Sequence, residues 1–218
     1  NRAIQEAKSR GYCRVYLPAG NYLIDDTIVH DDLIWLQGDG MATYLRAADG
    51  LNAPMIQAFY DEGERWGYMQ RLSDMRLDGN RDNQSDDYAD ICHGIEWIAP
   101  DGATAPILVD EKVGYPYVVS LNYPGQWFDS NRDAFNLWIS HCAGSGIWMA
   151  GRGGGHFQNI TAYENKGNGF RPTYDTGWVN CTAGRNGKRG FYIAESAVRL
   201  MNCKAWWSGF RIPEAGWS

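Results

Sequence analysis

The chain of 218 residues contains no apolar run approaching the length that crosses a bilayer, which argues against membrane insertion. It also lacks a basic excess. Its 20 Lys and Arg stand against 26 Asp and Glu, a net charge of -6, whereas nucleic-acid binders are usually basic. No nucleic-acid partner is therefore expected. Cysteine is sparse, and Cys13, Cys92 and Cys142 show no C-x2-C or other metal-ligand spacing. Cys181 and Cys203 fall at equivalent repeat positions, where a free Cys behaves as a small hydrophobe, so all five read as plain thiols. His30, His93, His141 and His156 are scattered and read as surface or corner residues; neither a metal nor a cofactor is implied. Glycine and aromatics, by contrast, are plentiful: 26 Gly, 10 Trp and 13 Tyr. Some of those rings must fill a core, and the ones at outward positions ask for a ligand. The length suits one domain with a substantial interior.

The organising feature is a repeat of about 22 residues. It opens at Asn136, Asn159, Asn180 and Asn202, reading NLWISHCAGSGIWM, NITAYENKGNGFRP, NCTAGRNGKRGFYI and NCKAWWSGFRI. Each copy later carries a Gly before a large apolar residue: Gly146-Ile147, Gly169-Phe170, Gly190-Phe191 and Gly209-Phe210. Apolar positions alternate within a copy, the period of strands. Leu137, Ile160, Cys181 and Cys203 then face inward with Ile139, Ala162, Ala183 and Ala205, while Trp138, Thr161, Thr182 and Lys204 face out. After the glycines, Met149, Pro172, Ile193 and Ile212 join the apolar residues inside, and Trp148, Arg171, Tyr192 and Arg211 point outward. Short strands, Asn and Gly turns and no room for a helix within a repeat predict an all-β, single-stranded parallel β-helix. Asn159, Asn180 and Asn202 would form a ladder of amides at one corner. A leucine-rich horseshoe is excluded because its Leu signature is missing.

Ahead of the repeats, residues 2–11 predict a short amphipathic helix with Ala3, Ile4 and Ala7 on one side, capping the open end of the stack. The motif VYLPAGNYLI follows, then a strand ending in the Gly38-Asp39-Gly40 turn, and later MRLDGN from Met75. The whole spans 1–218 as one domain, with loop insertions at 78–90 and 99–133 and regular repeats over 134–213. It begins inside a helix and ends at Gly-Trp-Ser without a polar cap, so a fragment of a longer polypeptide is expected. Helix, LPAGNY and Gly-x-Gly turn together resemble the opening of the pectin-lyase-like right-handed β-helices, a family that includes pectate lyases, polygalacturonases and bacteriophage tailspike depolymerases. The resemblance covers the chain except about 99–133. It implies a right-handed coil, an extracellular or virion setting and a polysaccharide partner. A likeness to tailspikes further implies a homotrimer.

Two insertions stand out, because loops on a rigid scaffold collect function. In the first, Asp78, Asn80 and Asp82 have the spacing of a calcium loop, but Asn83 replaces the turn glycine and no closing Glu follows; a solvated acidic loop is expected. The second holds Tyr115, Tyr117, Tyr123, Trp127 and Phe128, which read either as an aromatic wall for sugar rings or as a self-packed loop or subunit contact.

Chemistry on a filled coil must come from outward columns. Neighbouring coils lie about 4.8 Å apart, so Glu195 and Glu214, in one column one coil apart, have the separation that glycosidases use. Glu195, Glu214 and Asp175 are the candidate catalytic acids, and Arg171, Tyr192, Arg211, Trp148, Trp206 and Trp127 the candidate substrate contacts. Plain surface ion pairs with Arg171 and Arg211 account for the same acids. The alternative reaction is β-elimination on an acidic polysaccharide, with Arg171 or Arg211 neutralising the carboxylate and Tyr192, His141 or Lys204 as base. A third reading is a non-catalytic spike or fibre segment that binds glycan. A secreted pectinase-like enzyme is the remaining alternative.

Overall fold

A computed structural model describes residues 1–30, 34–58, 70–97, 108–109, 116–117, 132–149, 154–172, 175–193 and 197–209. Its strands form the expected right-handed parallel β-helix. One long sheet stacks Arg14–Tyr16, Trp35–Gln37, Gln70–Asp78, Arg132–Ser140, Gly155–Tyr163, Thr176–Val179 and Arg199–Met201. Gly20–Ile24 and Thr43–Ala47 stack on the second half of Gln70–Asp78, and Thr182–Gly184 and Lys204–Trp206 on the second half of Gly155–Tyr163. A shorter second sheet stacks Ile28–His30, Ile56–Ala58, Ile95–Trp97, Ile147–Met149 and Phe170–Arg171. Strand pairing within both sheets is parallel, and right-handed crossovers are the near-universal way to join parallel strands.

The last five coils of the long sheet each bend at one residue with left-handed backbone: Asp74, Asn136, Asn159, Asn180 and Asn202, with φ between 52° and 59°. Asn and Asp tolerate that region better than other L-residues because their short polar side chains bond locally. Here the side chains also bond to the next coil. Asn202 Nδ2 donates to Asn180 Oδ1 at 2.6 Å, Asn180 to Asn159 at 3.3 Å, Asn159 to Asn136 at 3.1 Å, and Asn136 to Asp74 Oδ1 at 2.9 Å. The expected ladder is thus present and two rungs longer. A second, buried ladder escaped the sequence reading. Asn165 Nδ2 donates to Asn186 Oδ1 at 2.9 Å, Asn165 Oδ1 accepts from the Cys142 amide at 2.9 Å, and Asn186 Nδ2 reaches the Ala162 carbonyl at 3.1 Å.

The recurring glycine has a steric cause. At Gly146 a Cβ would lie 2.7 Å from the Gly169 carbonyl oxygen, and at Gly169 it would lie 2.7 Å from that of Gly190. The amide after each glycine donates to that same oxygen one coil on: Ile147 N to Gly169 O at 3.1 Å, Phe170 N to Gly190 O at 2.9 Å. A side chain at this column would wedge the coils apart and break those bonds.

Inside, Leu72, Leu77, Leu137, Ile139, Ile147, Ile160, Ala162, Phe170, Cys181 and Ala183 are buried as the alternation required. Phe157 and Trp178 stack at 4.0 Å between ring centroids, so part of the aromatic surplus is core. The helix Arg2–Ser9 sets Ile4 and Ala7 against Ile34 at one end of the stack, whereas Ala3, expected on the same face, is exposed. Ile193 and Ala205 are exposed as well, contrary to the inward assignment. Cys203 is half-buried beside buried Cys181, all five cysteines are free thiols, and burial pushes the Cys181 thiol up to about 12. Ile212 and most of the insertion 99–133 lie outside the described residues. In the insertion 78–90, Asn80 is spent on Ala47 O and Asp49, while Asp86 and Asp90 pair with Lys166 and Lys188 at 3.2 and 3.1 Å. Among the described residues no group of three or more His, Cys, Asp or Glu could hold a metal ion, and no helix is long and apolar enough to cross a membrane.

Closely packed coils should punish a methyl group more than a missing surface amide. Gly169→Ala is expected to destabilise by about 1–3 kcal/mol, and Asn180→Gly, which keeps the left-handed bend, by less than about 1 kcal/mol. Urea unfolding of both variants checks the order; the reverse order would mean that the glycine column does not set coil spacing.

Candidate functional site

The second sheet presents one outward column. In register it reads Val29, Gln57, Glu96, Trp148 and Arg171, and the bridge between Phe170 and Phe191 brings Tyr192 next. Three of the expected substrate contacts, Trp148, Arg171 and Tyr192, are therefore brought together. The Arg171 guanidinium carbon lies 4.2 Å from the centre of the Trp148 ring and 6.0 Å from that of Tyr192, and Arg189 sits 4.5 Å over Tyr192. On the side of the preceding coil, the His93 ring stacks on Trp148 at 5.0 Å with planes 6° apart. The indole is thus a seat for Arg171 and His93, with protein on both sides.

Arg171 Nη1 donates to the Met149 carbonyl at 2.6 Å, while its Nε is buried without a hydrogen-bond partner. Among the described residues no carboxylate lies within 4 Å of this guanidinium. A half-buried cation held by ring faces and one carbonyl keeps its charge available to an incoming anion.

Glu96 occupies the same column, nearly buried, and accepts from Gln57 Nε2 at 2.7 Å. Burial raises its pKa. His93 accepts the Ser145 amide at Nδ1, 3.0 Å away, which places its proton on Nε2, 4.0 Å from Glu96 Oε1. Burial holds the His93 pKa down to about 4, so the ring is neutral near pH 7. The sequence reading left His93, Glu96 and Arg189 out of the site. The signal for Glu96 was at hand, because Gly94-Ile95-Glu96-Trp97 repeats the glycine–apolar pattern and sets Glu96 in the column of Trp148.

Other expected site residues lie elsewhere. Trp206 is on the long sheet, 5.9 Å from Tyr163, and not in the Arg171 column. Asp175 is exposed at a left-handed corner (φ 62°) just before Thr176–Val179, and none of its bonds reaches Arg171. Glu195, Glu214, Arg211 and Trp127 lie outside the described residues. His141 and Lys204 belong to the long sheet or its corner, away from Arg171.

No protein-family model matches this chain. It is 30% identical over 220 residues to mannuronan C5-epimerase AlgE3 of Azotobacter vinelandii, covering 91% of this chain and 11% of that protein. It is equally 30% identical over 212 residues to mannuronan C5-epimerase AlgE5 of the same organism, covering 88% and 20%. The chain therefore spans between a tenth and a fifth of the length of these relatives. Among solved structures it is similar to the A-module of Azotobacter vinelandii mannuronan C5-epimerase AlgE6, with a TM-score of 0.67, 21% identity, and coverage of 95% of this chain and 51% of that one. That structural likeness is one of fold. The sequence relatives are polysaccharide-modifying enzymes, and none of those named is a tailspike.

The buried histidine gives a test of the site's electrostatics. A folded pKa of about 4 against an ordinary 6.5 means that the unfolded chain binds the proton more tightly. The contribution of His93 is complete above pH 6.5 and is lost as pH falls toward 4, a change of roughly 3 kcal/mol at full extent. The melting temperature of the wild type minus that of His93→Gln should therefore shrink over that window. A constant difference would show that the ring is protonated in the fold.

Proposed function

We propose that this chain is the β-helical part of an enzyme that binds an acidic polysaccharide along the second sheet and removes the proton beside a sugar carboxylate. The observation that carries the reading is Arg171, a guanidinium seated on Trp148, facing Tyr192 and matched by no carboxylate among the described residues. Mannuronan, named in the relatives, is a polymer of uronic acid, and C5-epimerisation takes the proton from the carbon that bears the carboxylate and returns it from the other face.

The chemistry asks two things of the protein. Charge that develops on the carboxylate as the neighbouring C–H bond breaks must be stabilised, and a cation already in place does this without reorganisation. Arg171 is that group. A proton must also leave and arrive through positioned side chains. Tyr192, adjacent to Arg171 and beneath Arg189, is the phenol placed to exchange it, and Glu96, with its raised pKa, is an acid in the same column.

Epimerisation and β-elimination share this first step, so both belong to the proposal. Hydrolysis through Glu195 and Glu214 is the competing reading, supported by their column spacing alone. A virion setting and a homotrimer came with the tailspike likeness, and the relatives give them no support. An extracellular setting follows from a polymer substrate and is proposed with it.

Incubating the protein with polymannuronate in D2O separates the outcomes. Deuterium at C5, as epimerisation gives, or an unsaturated product absorbing in the near ultraviolet, as β-elimination gives, supports the proposal; new reducing ends without either sink it in favour of hydrolysis. Arg171→Gln should lower kcat/KM by about 10²- to 10³-fold, and Tyr192→Phe should lower kcat by about 10²- to 10⁴-fold.

A further inference from the structure

The long sheet carries a second outward surface that the site above does not use. Its first column reads Tyr44, Arg76, Trp138, Thr161, Thr182 and Lys204 on successive coils. Two residues on, the next column reads Arg46, Asp78, Ser140, Tyr163, Gly184 and Trp206. At the adjoining corner His141, Glu164 and Arg185 follow one another, each with left-handed backbone.

The carboxylates here are already occupied. Asp78 accepts from the Tyr44 hydroxyl at 2.7 Å and the Asn80 amide at 2.9 Å, and lies 3.5 Å from His141 Nδ1. Glu164 lies 3.2 Å from both His141 Nε2 and Arg185 Nη1. The hydrogen bonds to Asp78 hold its pKa down to about 2 against its burial, and the hydrogen bond with Asp78 in turn raises the pKa of His141. Arg46 is bonded to Asn80 Oδ1 at 2.9 Å. Arg76 is different: it lies 4.7 Å over the Tyr44 ring, with a buried Nε that has no hydrogen-bond partner and no carboxylate within 4 Å among the described residues.

From Arg76 a strip of rings continues along the stack. Trp138 meets Tyr163 at 5.9 Å, and Tyr163 meets Trp206 at 5.9 Å across Gly184. A Cβ on Gly184 would strike the Trp206 indole at 2.8 Å, so the missing side chain is what lets the ring lie there. The coils from Trp138 to Trp206 span three strand spacings, roughly 14 Å. Cations outnumber carboxylates on this surface, Arg46, Arg76, Arg185 and Lys204 against Asp78 and Glu164, on a chain whose net charge is -6.

We infer that this face is a second binding site for an acidic oligosaccharide, its chain lying along the stack axis with a carboxylate on Arg76 and sugar rings against Trp138 and Tyr163. The class of sugar rests on the function proposed above; the site is independent of it, being on a different sheet and using none of its residues. Such a site would hold a polymer at a second point while the Arg171 column acts on it.

Calorimetric titration with a mannuronate hexamer at low salt tests this, with neutral mannohexaose as the control probe. Wild type should bind two hexamers per chain. Arg76→Gln and Trp138→Ala should each weaken one of them by 10- to 100-fold, the range for a lost hydrogen bond to a charge, and leave the other unchanged. Arg171→Gln should do the converse. Circular dichroism checks that the variants fold, and Arg76→Lys should bind more tightly than Arg76→Gln. One hexamer per chain, removed by Arg171→Gln alone, overturns the second site and leaves the first. Loss of both hexamers in the wild type overturns both readings. Equal binding of mannohexaose overturns the charge argument. A sedimentation shift from oligomer to monomer in Trp138→Ala would assign the face to a second copy of the chain instead.

Discussion

Backbone hydrogen bonds between parallel coils, one strand spacing apart, are the constraint from which the rest of this molecule follows. They demand that each coil lie directly on the last, and every residue then has its counterpart of the previous coil as a neighbour. At the Gly94, Gly146 and Gly169 positions the approach is too close for any side chain, because a carbonyl oxygen of the next coil stands where a Cβ would be. At the Asn corner the same approach is turned to use, and one amide bonds to the next from Asn202 down to Asp74. The buried pair Asn165 and Asn186 satisfies turn amides that would otherwise be stranded inside, where an unpaired polar group is costly.

Stacking also decides what the outer surface can be. Like positions recur at one spacing, so an arginine in one repeat faces an aromatic ring in the next. Arg14 and Arg71 lie over Trp35, Arg76 lies over Tyr44, and Arg171 lies over Trp148. Where a carboxylate is also present, as between Arg71 and Asp133 at 2.9 Å, the charge is consumed within the protein. At Arg171 and Arg76 it is held by ring faces, which leave the guanidinium edge to an outside anion.

Much of this was legible from the residues. The 22-residue period, the alternation of apolar positions and the Asn column specified the coil, its lining and its ladder, because those features answer to local rules that hold in every repeat. Outward Trp148, Arg171 and Tyr192 could be read in the same way, and they meet. Glu96 carried the same glycine–apolar signal, although its pairing with Trp148 spans about fifty residues. Less regular features could not be read. Trp206 follows the repeat correctly yet faces from the other sheet, since a position within a repeat does not by itself say which sheet it joins.

Sequence alone determined the architecture: a parallel coil with a filled interior, whose chemistry must lie on its outside. Tertiary structure decided which charges are matched within the protein. The coils place His141, a corner residue and candidate base, between Asp78 and Glu164, and they surround Arg171, a candidate substrate contact, with ring faces and a carbonyl. The reason is physical. A repeat fixes which residues are neighbours along the stack, but whether a charge is matched depends on how side chains of different lengths from three coils share one space.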